Sequence, residues 1–385
     1  MNQELDRLPD YACHQTIDRF GRFGAEKPWD KIDTLQLEVG MSNNREMYSW
    51  AGARQFQESQ LSDLVGRGVA GTGHFALLAR HVFLPGAGKF SYKGESEIDG
   101  RQAHEWSFDV PLAKSRYRLR TAHAEAVVAF LGTIWADTKT LDLVRMEIQA
   151  YDLPEKLALV EAGNVIRYQR VRIGDKGSLL PIYSELMLVS SDGNENLNRQ
   201  KLGECRQYLG EAKVSFESES KEAIPAKVES ATRAMQLPRA SVLELELAEP
   251  LVPVKAVVGQ ALKIRMSRAL RRDEQILLPE GSEVAARVIR LERQETPFPL
   301  WEIGIELVSV QVGTEVVDLR ATLIDAGPES GLLRLSKTFM PKFTKKRTTR
   351  MDILVRETPK GQAILHWDAK RPQVPKGLRM KWRVE

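Results

Sequence analysis

Residues 144–151 read VRMEIQAY, and this short stretch decides the fold class. Val144, Met146, Ile148 and Ala150 are apolar, and a charged or polar residue separates each from the next. A period of two is typical of a strand with one buried face and one solvated face. The stretch therefore predicts a half-buried strand of an antiparallel sheet.

The same period recurs on both sides of this strand. LQLEVG at 35–40 and AKVSF at 212–216 alternate in the same way. Further strand candidates are HEWSFDV at 104–110, SRYRLRTA at 115–122 and VVAFLGTIWAD at 127–137. Because these runs follow one another closely, they favour neighbouring antiparallel strands.

One segment, residues 55–84, changes to a helical period. Apolar residues recur three and four apart at 61–65 and again at 77–82, and several glycines between 66 and 73 interrupt the pattern. This spacing predicts one or two helices. The first domain is therefore expected to be a sheet with helical cover.

The length of 385 residues favours two domains. We predict a first domain at 1–217, a polar, charge-rich linker at 218–237 and a small all-β domain at 238–385. In the last domain LELEL at 243–247 and LKIRM at 262–266 alternate again. The expected class is mainly β (α+β), with a small β-barrel or sandwich at the end of the chain.

Composition indicates an ordinary folded protein, with 42% hydrophobic and 28% charged residues. The net charge of +4 permits contact with anionic lipid, polysaccharide or nucleic acid without requiring any of them. The sequence has no run of about 18 uninterrupted apolar residues, so we predict no transmembrane helix. Met1 leads almost directly into strand-like sequence, which would suit a mature chain whose leader has been removed.

The two cysteines, Cys13 and Cys205, each lie in a strand-like run near one end of the first domain. A disulfide would tie the terminal strands of that domain together. The alternative is a pair of separate buried thiols. If the disulfide forms, the compartment is oxidising.

The order of several motifs in the first domain resembles a known family. The motifs are LPDYACHQTIDRF at 8–20, WDKIDTLQLEV at 29–39, GTGHFALL at 71–78, IWADTKTLDLVRMEI at 134–148 and CRQYLGEAKVSF at 205–216. Together they resemble bacterial envelope proteins with a LolA-like half-barrel, the fold of periplasmic lipoprotein carriers, over residues 5–217. The resemblance implies a curved antiparallel sheet with helices over its concave side, export across the inner membrane and, in some members, an acyl-chain pocket. It implies no catalytic residues.

The second domain resembles envelope β-barrel modules in one hairpin. ILLPEGSEVAARVIRLE at 276–292 is similar to a strand-turn-strand stretch of bacterial conjugation-channel barrels. This similarity names no ligand.

A set of aromatic residues in the first domain is the candidate ligand pocket. A concave sheet under a helical lid leaves space that an apolar ligand can fill. The candidates are Phe90, Tyr92, Trp106, Phe108, Phe130 and Trp135. The alternative is that they are plain core, as most aromatic residues of half-buried strands are.

A basic run near the end of the chain is the candidate anionic surface. Its residues are Lys342, Lys345, Lys346, Arg347 and Arg350. They could hold anionic lipid head groups or polysaccharide, and nucleic acid is the least favoured partner. Trp382, among basic residues of the tail, could lie at a membrane surface. The alternatives are a solvated loop and a charged edge strand.

The candidates for catalysis fail on geometry. His74 and His81 lie about 10 Å apart along the predicted helix, too far to share a metal. Cys13 and His14 are strand neighbours and point to opposite faces. GAGKFSYKG at 86–94 lacks the GK[ST] ending of a phosphate loop. We therefore predict no enzyme activity, no metal and no cofactor.

Together these observations predict a non-enzymatic periplasmic or exported protein that binds a lipid, a lipoprotein acyl chain or another apolar group in its half-barrel. The alternative is an envelope scaffold or protein-interaction module without a ligand pocket, which docks an envelope partner.

Overall fold

The computed structural model describes residues 9–42, 45–51, 61, 77–121, 124–208, 237–272, 274–294, 299–312, 315–326 and 360–385. Contacts divide the chain into two compact units, Met1–Phe216 and Glu217–Glu385. The predicted linker, apart from its last residue, lies outside the described residues. Strands dominate both units, so the mainly β class is confirmed.

Twelve strands of the first unit are described. They are β1 (Tyr11–Phe23), β2 (Asp30–Ser42), β3 (Arg45–Trp50), β4 (Lys89–Ile98), β5 (Arg101–Val110), β6 (Arg118–Arg120), β7 (Glu125–Val127), β8 (Ala129–Asp137), β9 (Leu143–Tyr151), β10 (Leu159–Ile173), β11 (Lys176–Ser190) and β12 (Asn194–Gln207). Ten of them form one antiparallel sheet in the order β3-β2-β1-β12-β11-β10-β9-β8-β5-β4. This sheet curls into a half-barrel.

The first and last strands of this unit are neighbours in the sheet. β1 pairs with β12 along almost their whole lengths, with Ile17 opposite Gln200. Cys13 lies at an irregularity in this pairing and forms a disulfide with Cys205, with their Cα atoms 4.1 Å apart. The predicted disulfide is therefore confirmed, and it connects two adjacent strands.

One face of the sheet carries the core of the first unit, and we name it the inner face. Alternate residues of each strand point to it, among them Ile17, Phe130 and Ile148, which are nearly or fully buried. Gly132 lies on the same face, opposite Phe108 in the sheet. A Cβ atom at Gly132 would lie 1.9 Å from the carbonyl oxygen of Glu147 and 2.7 Å from the Phe108 ring. Glycine is therefore required where this ring crosses β8.

Part of the inner face is covered by one short helix and one hairpin. The helix, α1 (Leu77–Phe83), packs Leu78 and Val82 into the core. The hairpin is formed by β6 and β7, a separate two-stranded sheet that contributes Leu119 and Ala126. Two 3-10 turns lie beside these elements, at Leu112–Lys114 and Glu155–Leu157.

The predicted helical cover is thus not supported as a whole. Most of residues 55–76 lie outside the described part of the chain, and α1 is the described helix over the core. SRYRLRTA, expected as a strand near the main sheet, instead supplies one strand of the covering hairpin. The preceding Pro111 and the 3-10 turn after it direct the chain away from the main sheet.

The second unit has ten described strands. They are β13 (Val242–Leu247), β14 (Ala261–Met266), β15 (Leu270–Arg272), β16 (Gln275–Leu278), β17 (Glu283–Gln294), β18 (Leu300–Val312), β19 (Glu315–Asp318), β20 (Ala321–Asp325), β21 (Gln362–Asp368) and β22 (Arg379–Val384). Eight form one sheet, ordered β19-β18-β17-β14-β13-β22-β20, with β21 paired to β18. β15 and β16 form a separate hairpin. The assignment as barrel or sandwich remains a prediction.

The position of Trp382 differs from the expectation. Trp382 is fully buried in the core of the second unit, together with Met380, and does not lie at a surface. Its strand β22 lies between β13 and β20, so it is not an edge strand. The alternation in RMKWRV points Arg379 and Arg383 to solvent and the tryptophan inward.

Candidate functional site

The edge of the inner face carries a partly exposed group of aromatic rings. Phe90 and Tyr92 on β4 pair with Phe108 and Trp106 on β5, so all four rings lie on one face. Phe90 is 43% exposed and Tyr92 is 53% exposed. The Tyr92 and Trp106 ring centroids are 5.3 Å apart, and the Phe90 ring stacks on Phe83 of α1 at 5.9 Å. We name Phe90, Tyr92 and Trp106 the aromatic platform.

Two of the predicted pocket residues lie deeper and are core. Phe108 is 3% exposed and Phe130 is fully buried. The Phe130 ring meets Phe108 edge-on at 6.1 Å and meets Tyr117, just before β6, at 5.4 Å. At these two positions the space beneath the cover is filled by protein side chains.

Trp135 lies on the opposite face of the sheet, so its prediction as a pocket residue is wrong. It pairs with Glu105, whereas its neighbour Ile134 pairs with Trp106 of the platform. Its indole Nε1 donates a hydrogen bond of 3.1 Å to the Glu105 carboxylate. The Arg145 guanidinium lies 6.0 Å from its ring. Because successive strand residues point to opposite faces, Trp135 cannot share a pocket with the other five aromatic residues.

A row of polar side chains crosses the centre of the inner face. Gln15 donates from its Nε2 to the Oε1 of Gln200 at 2.9 Å, and both are buried. Ser184 pairs with Gln200 on one side and Ile166 on the other. Asn164 lies two residues from Ile166 on β10. Sequence reasoning missed these residues, although Gln15, Asn164 and Ser184 each occupy the apolar phase of an alternating strand.

A buried ion pair adjoins this row. Arg19 on β1 donates from its Nε to an oxygen of Asp33 on β2 at 2.7 Å, and a second hydrogen bond joins the same two groups. The two side chains are 6% and 3% exposed. Since each charge has the other as its partner, the pair is neutral as a unit.

Tyr168 contributes a hydroxyl to the same face. It lies on β10 and packs in the core cluster. Burial raises its pKa well above the usual value, and the nearby Tyr11 hydroxyl adds to the shift. Tyr168 therefore stays protonated at every physiological pH and can act as a hydrogen-bond donor.

Among the described residues considered for catalysis, Cys13 and His14 do not form a catalytic pair. The sulfur of Cys13 is in the disulfide, and His14 lies on the other face. There the His14 imidazole contacts carboxylate oxygens of Glu38 and Glu204, each at 3.2 Å. Among the described residues no three His, Cys, Asp or Glu side chains are grouped so that they could hold a metal ion. His74 lies outside the described residues.

The predicted anionic surface also lies outside the described residues. Lys342, Lys345, Lys346, Arg347 and Arg350 all belong to the segment 327–359. Their role as a surface for anionic partners therefore stays a prediction. In the part of the chain that is described, no helix is both long and apolar enough to cross a membrane.

The sequence matches no protein-family model and no curated protein. Solved structures are similar to it over about half of its length. A LolA superfamily protein from Nitrosomonas europaea matches 54% of this chain and 91% of its own length, with 11% identity and a TM-score of 0.27. A domain from Vibrio parahaemolyticus, described as outer membrane lipoprotein-sorting, matches 55% and 92%, with 8% identity and a TM-score of 0.29.

A third solved structure, a DUF1329 family protein from Desulfovibrio piger, matches 56% of this chain and 92% of its own length, with 13% identity and a TM-score of 0.24. The resemblance to LolA-like proteins that the sequence predicts is thus found among solved structures as well. At these TM-scores the matches assign no ligand and no residue role to the chain.

Proposed function

We propose that the first unit binds an acyl chain or another apolar group on its inner face, by burial alone and without covalent chemistry. The exposed aromatic platform is the observation that supports this proposal. Phe90 and Tyr92 are half exposed although they continue the face that holds the core. A contiguous apolar surface of this kind marks a binding site more often than a lone exposed residue does.

The driving force would be the removal of apolar surface from water. Each 100 Å² of apolar area that ligand and platform bury contributes about 2.5 kcal/mol. Flat rings lose little conformational freedom when they are covered, so less of this free energy is offset than at flexible side chains. A chain lying across Tyr92 and Trp106 would contact both ring faces of the pair, whose centroids are 5.3 Å apart.

We further propose that the protein works in the periplasm or another oxidising compartment. The disulfide between Cys13 and Cys205 supports this location. Disulfides persist in exported proteins and are rare where thiols are kept reduced.

The second candidate function is an envelope scaffold with a closed half-barrel that docks a protein partner. The burial of Phe108 and Phe130 under Tyr117 favours it, because the inner face is filled at that point. The two functions differ in whether an apolar molecule can bind to the folded chain.

A titration of the full chain with a fluorescent 18-carbon acyl probe tests the proposal. The double variant Phe90→Ser, Tyr92→Ser should bind the probe about tenfold more weakly, since a loss of about 1.4 kcal/mol is one factor of ten. The matched control is Phe23→Ser, because Phe23 is 65% exposed at the far end of β1. It should bind like the wild type.

Two results would count against acyl binding on the platform. If the folded wild-type chain does not bind the probe, the scaffold function is favoured. If the double variant and the control bind equally well, the platform is not the binding surface.

A further inference from the structure

Several buried oxygen atoms of the inner face have no hydrogen-bond partner among the described residues. They are Asn164 Oδ1, Tyr168 OH, Ser184 Oγ and Gln15 Oε1. Ser184 is fully buried, Gln15 is 1% exposed and Tyr168 is 6% exposed. A buried polar atom without a partner costs free energy, so native proteins leave few of them.

Three of these oxygens are close neighbours in the sheet. Ser184 on β11 pairs directly with Ile166 on β10. Asn164 and Tyr168 lie two residues before and two residues after Ile166 on the same strand and face. Diagonal neighbours on one face of a sheet lie about 7–8 Å apart. Asn164 and Tyr168 are separated by about 13 Å along β10, and Ser184 lies across from the residue between them. The three therefore line one strip of the inner face, and we name them the polar triad.

Gln15 extends the polar triad across two further strands. It is hydrogen-bonded to Gln200, which pairs with Ser184. Ile17 and Leu186 on the same face are apolar and buried, whereas Asn198, opposite Leu186, is polar and buried. A polar group placed here would have partners on several strands.

The chemistry of the atoms restricts what they can bind. The amide oxygens of Asn164 and Gln15 accept hydrogen bonds, whereas the hydroxyls of Ser184 and Tyr168 both donate and accept. A hydroxyl group matches this set because it also donates and accepts. A charged head group does not match it, because the charged pair on the same face, Arg19 and Asp33, is already paired internally.

The distance between the polar triad and the aromatic platform is comparable to the length of an acyl chain. The platform is on β4 and β5, and the polar triad begins on β10, which is four strands from β4 in the order β10-β9-β8-β5-β4. Four strand spacings amount to about 19 Å along the curled sheet. This is the length range of a long acyl chain, and such a chain would lie in place of the Tyr117–Phe130 contact that fills the inner face between the two sites.

We propose that the polar triad and Gln15 form a subsite for the uncharged, hydroxyl-bearing head of an amphiphile whose acyl chain extends toward the aromatic platform. This inference rests on the proposed function of the first unit and adds the class of ligand to it. Acylglycerols and other acyl chains with neutral hydroxyl-bearing heads belong to that class.

Competition between two neutral probes tests the subsite. 1-Oleoylglycerol and methyl oleate share the same acyl chain and differ in the glycerol hydroxyls. Each is used to displace the fluorescent acyl probe from the full chain. We expect 1-oleoylglycerol to bind about tenfold more tightly, as one or two net hydrogen bonds would produce.

Substitutions test whether the polar triad causes the preference for 1-oleoylglycerol over methyl oleate. Ser184→Ala and Asn164→Leu should each reduce the preference for 1-oleoylglycerol about threefold or more, and leave methyl oleate binding unchanged. The matched control is Ser49→Ala, because Ser49 is 4% exposed and lies on the opposite face, paired with Glu38. It should keep the wild-type preference. Thermal unfolding confirms that each variant is folded.

The outcomes separate the subsite from the proposed function. If both probes bind with equal affinity to the wild type, acyl binding stands and the subsite is wrong, with buried water as the partner of these oxygens. If neither probe binds, both proposals fail. A preference that survives in Ser184→Ala and Asn164→Leu would also overturn the subsite.

Discussion

Removal of the disulfide between Cys13 and Cys205 should destabilise the first unit strongly. The bridge closes a loop with a sequence separation of 192 residues, which corresponds to about 5 kcal/mol of loop-closure entropy in the unfolded chain. Cys13 is fully buried. Alanine is therefore the appropriate replacement, because serine would bury a hydroxyl group at this position.

Guanidinium unfolding of the full chain measures this loss. Cys13→Ala, Cys205→Ala and the double variant should lower the stability of the first unit by similar amounts, because each removes the same bridge. The first unit of the wild type in reductant should match them. The second unit contains no cysteine and serves as an internal control, so its transition should not move. Additive effects of the two single variants, or a loss below about 1 kcal/mol, would refute the assignment of stability to the bridge.

Three further predictions concern packing and charge. Gly132→Ala should lower the melting temperature markedly, because the added methyl group would clash with the backbone of Glu147. The control Gly203→Ala has open space around its Cβ position and should leave the melting temperature nearly unchanged, so equal effects of the two variants would contradict the close approach at Gly132. Arg19→Met leaves the Asp33 carboxylate buried without its partner and should lower the free energy of unfolding by about 3–5 kcal/mol. Adding Asp33→Leu should recover most of this loss, and additive losses of the two substitutions would disprove the pairing. Burial lowers the pKa of His366, so the second unit should lose stability as the pH falls through 6.5. His366→Gln should flatten this pH dependence, and a pH profile unchanged by the substitution would show that His366 is not its cause.

The strands themselves were predictable because alternation is a local property. VRMEIQAY and LQLEVG lie in β9 and β2, with their apolar residues buried. The same property explains Trp382, whose inward direction follows from the alternation in RMKWRV. The expected membrane contact of Trp382 was based on its basic neighbours and not on the alternation of the strand.

Relations between strands were not predictable in the same way. Alternation shows that one face of a strand is buried, but it does not show which layer buries it, so β6 was not separable from the main sheet. The error at Trp135 has the same origin, since faces of different strands can be compared only after the register is known. The register places Trp135 opposite Glu105, away from Trp106.

The polar row on the inner face had a weak signal in the sequence. Ser184 shares its phase with Leu186 and Leu188, and Gln15 shares its phase with Cys13 and Ile17. A polar residue in the apolar phase of a strand is a local conflict, and such conflicts concentrate at functional sites. The signal becomes specific only when the sheet brings these residues together on neighbouring strands.

Native mass spectrometry of the full chain, purified from its own host under gentle conditions, tests the central claim most directly. The account predicts a population carrying an added mass that is released on activation and identified as an acyl-bearing, uncharged and hydroxyl-containing molecule. The apo mass alone, together with a folded chain that does not take up the 18-carbon acyl probe, would contradict the claim that the first unit binds apolar ligands.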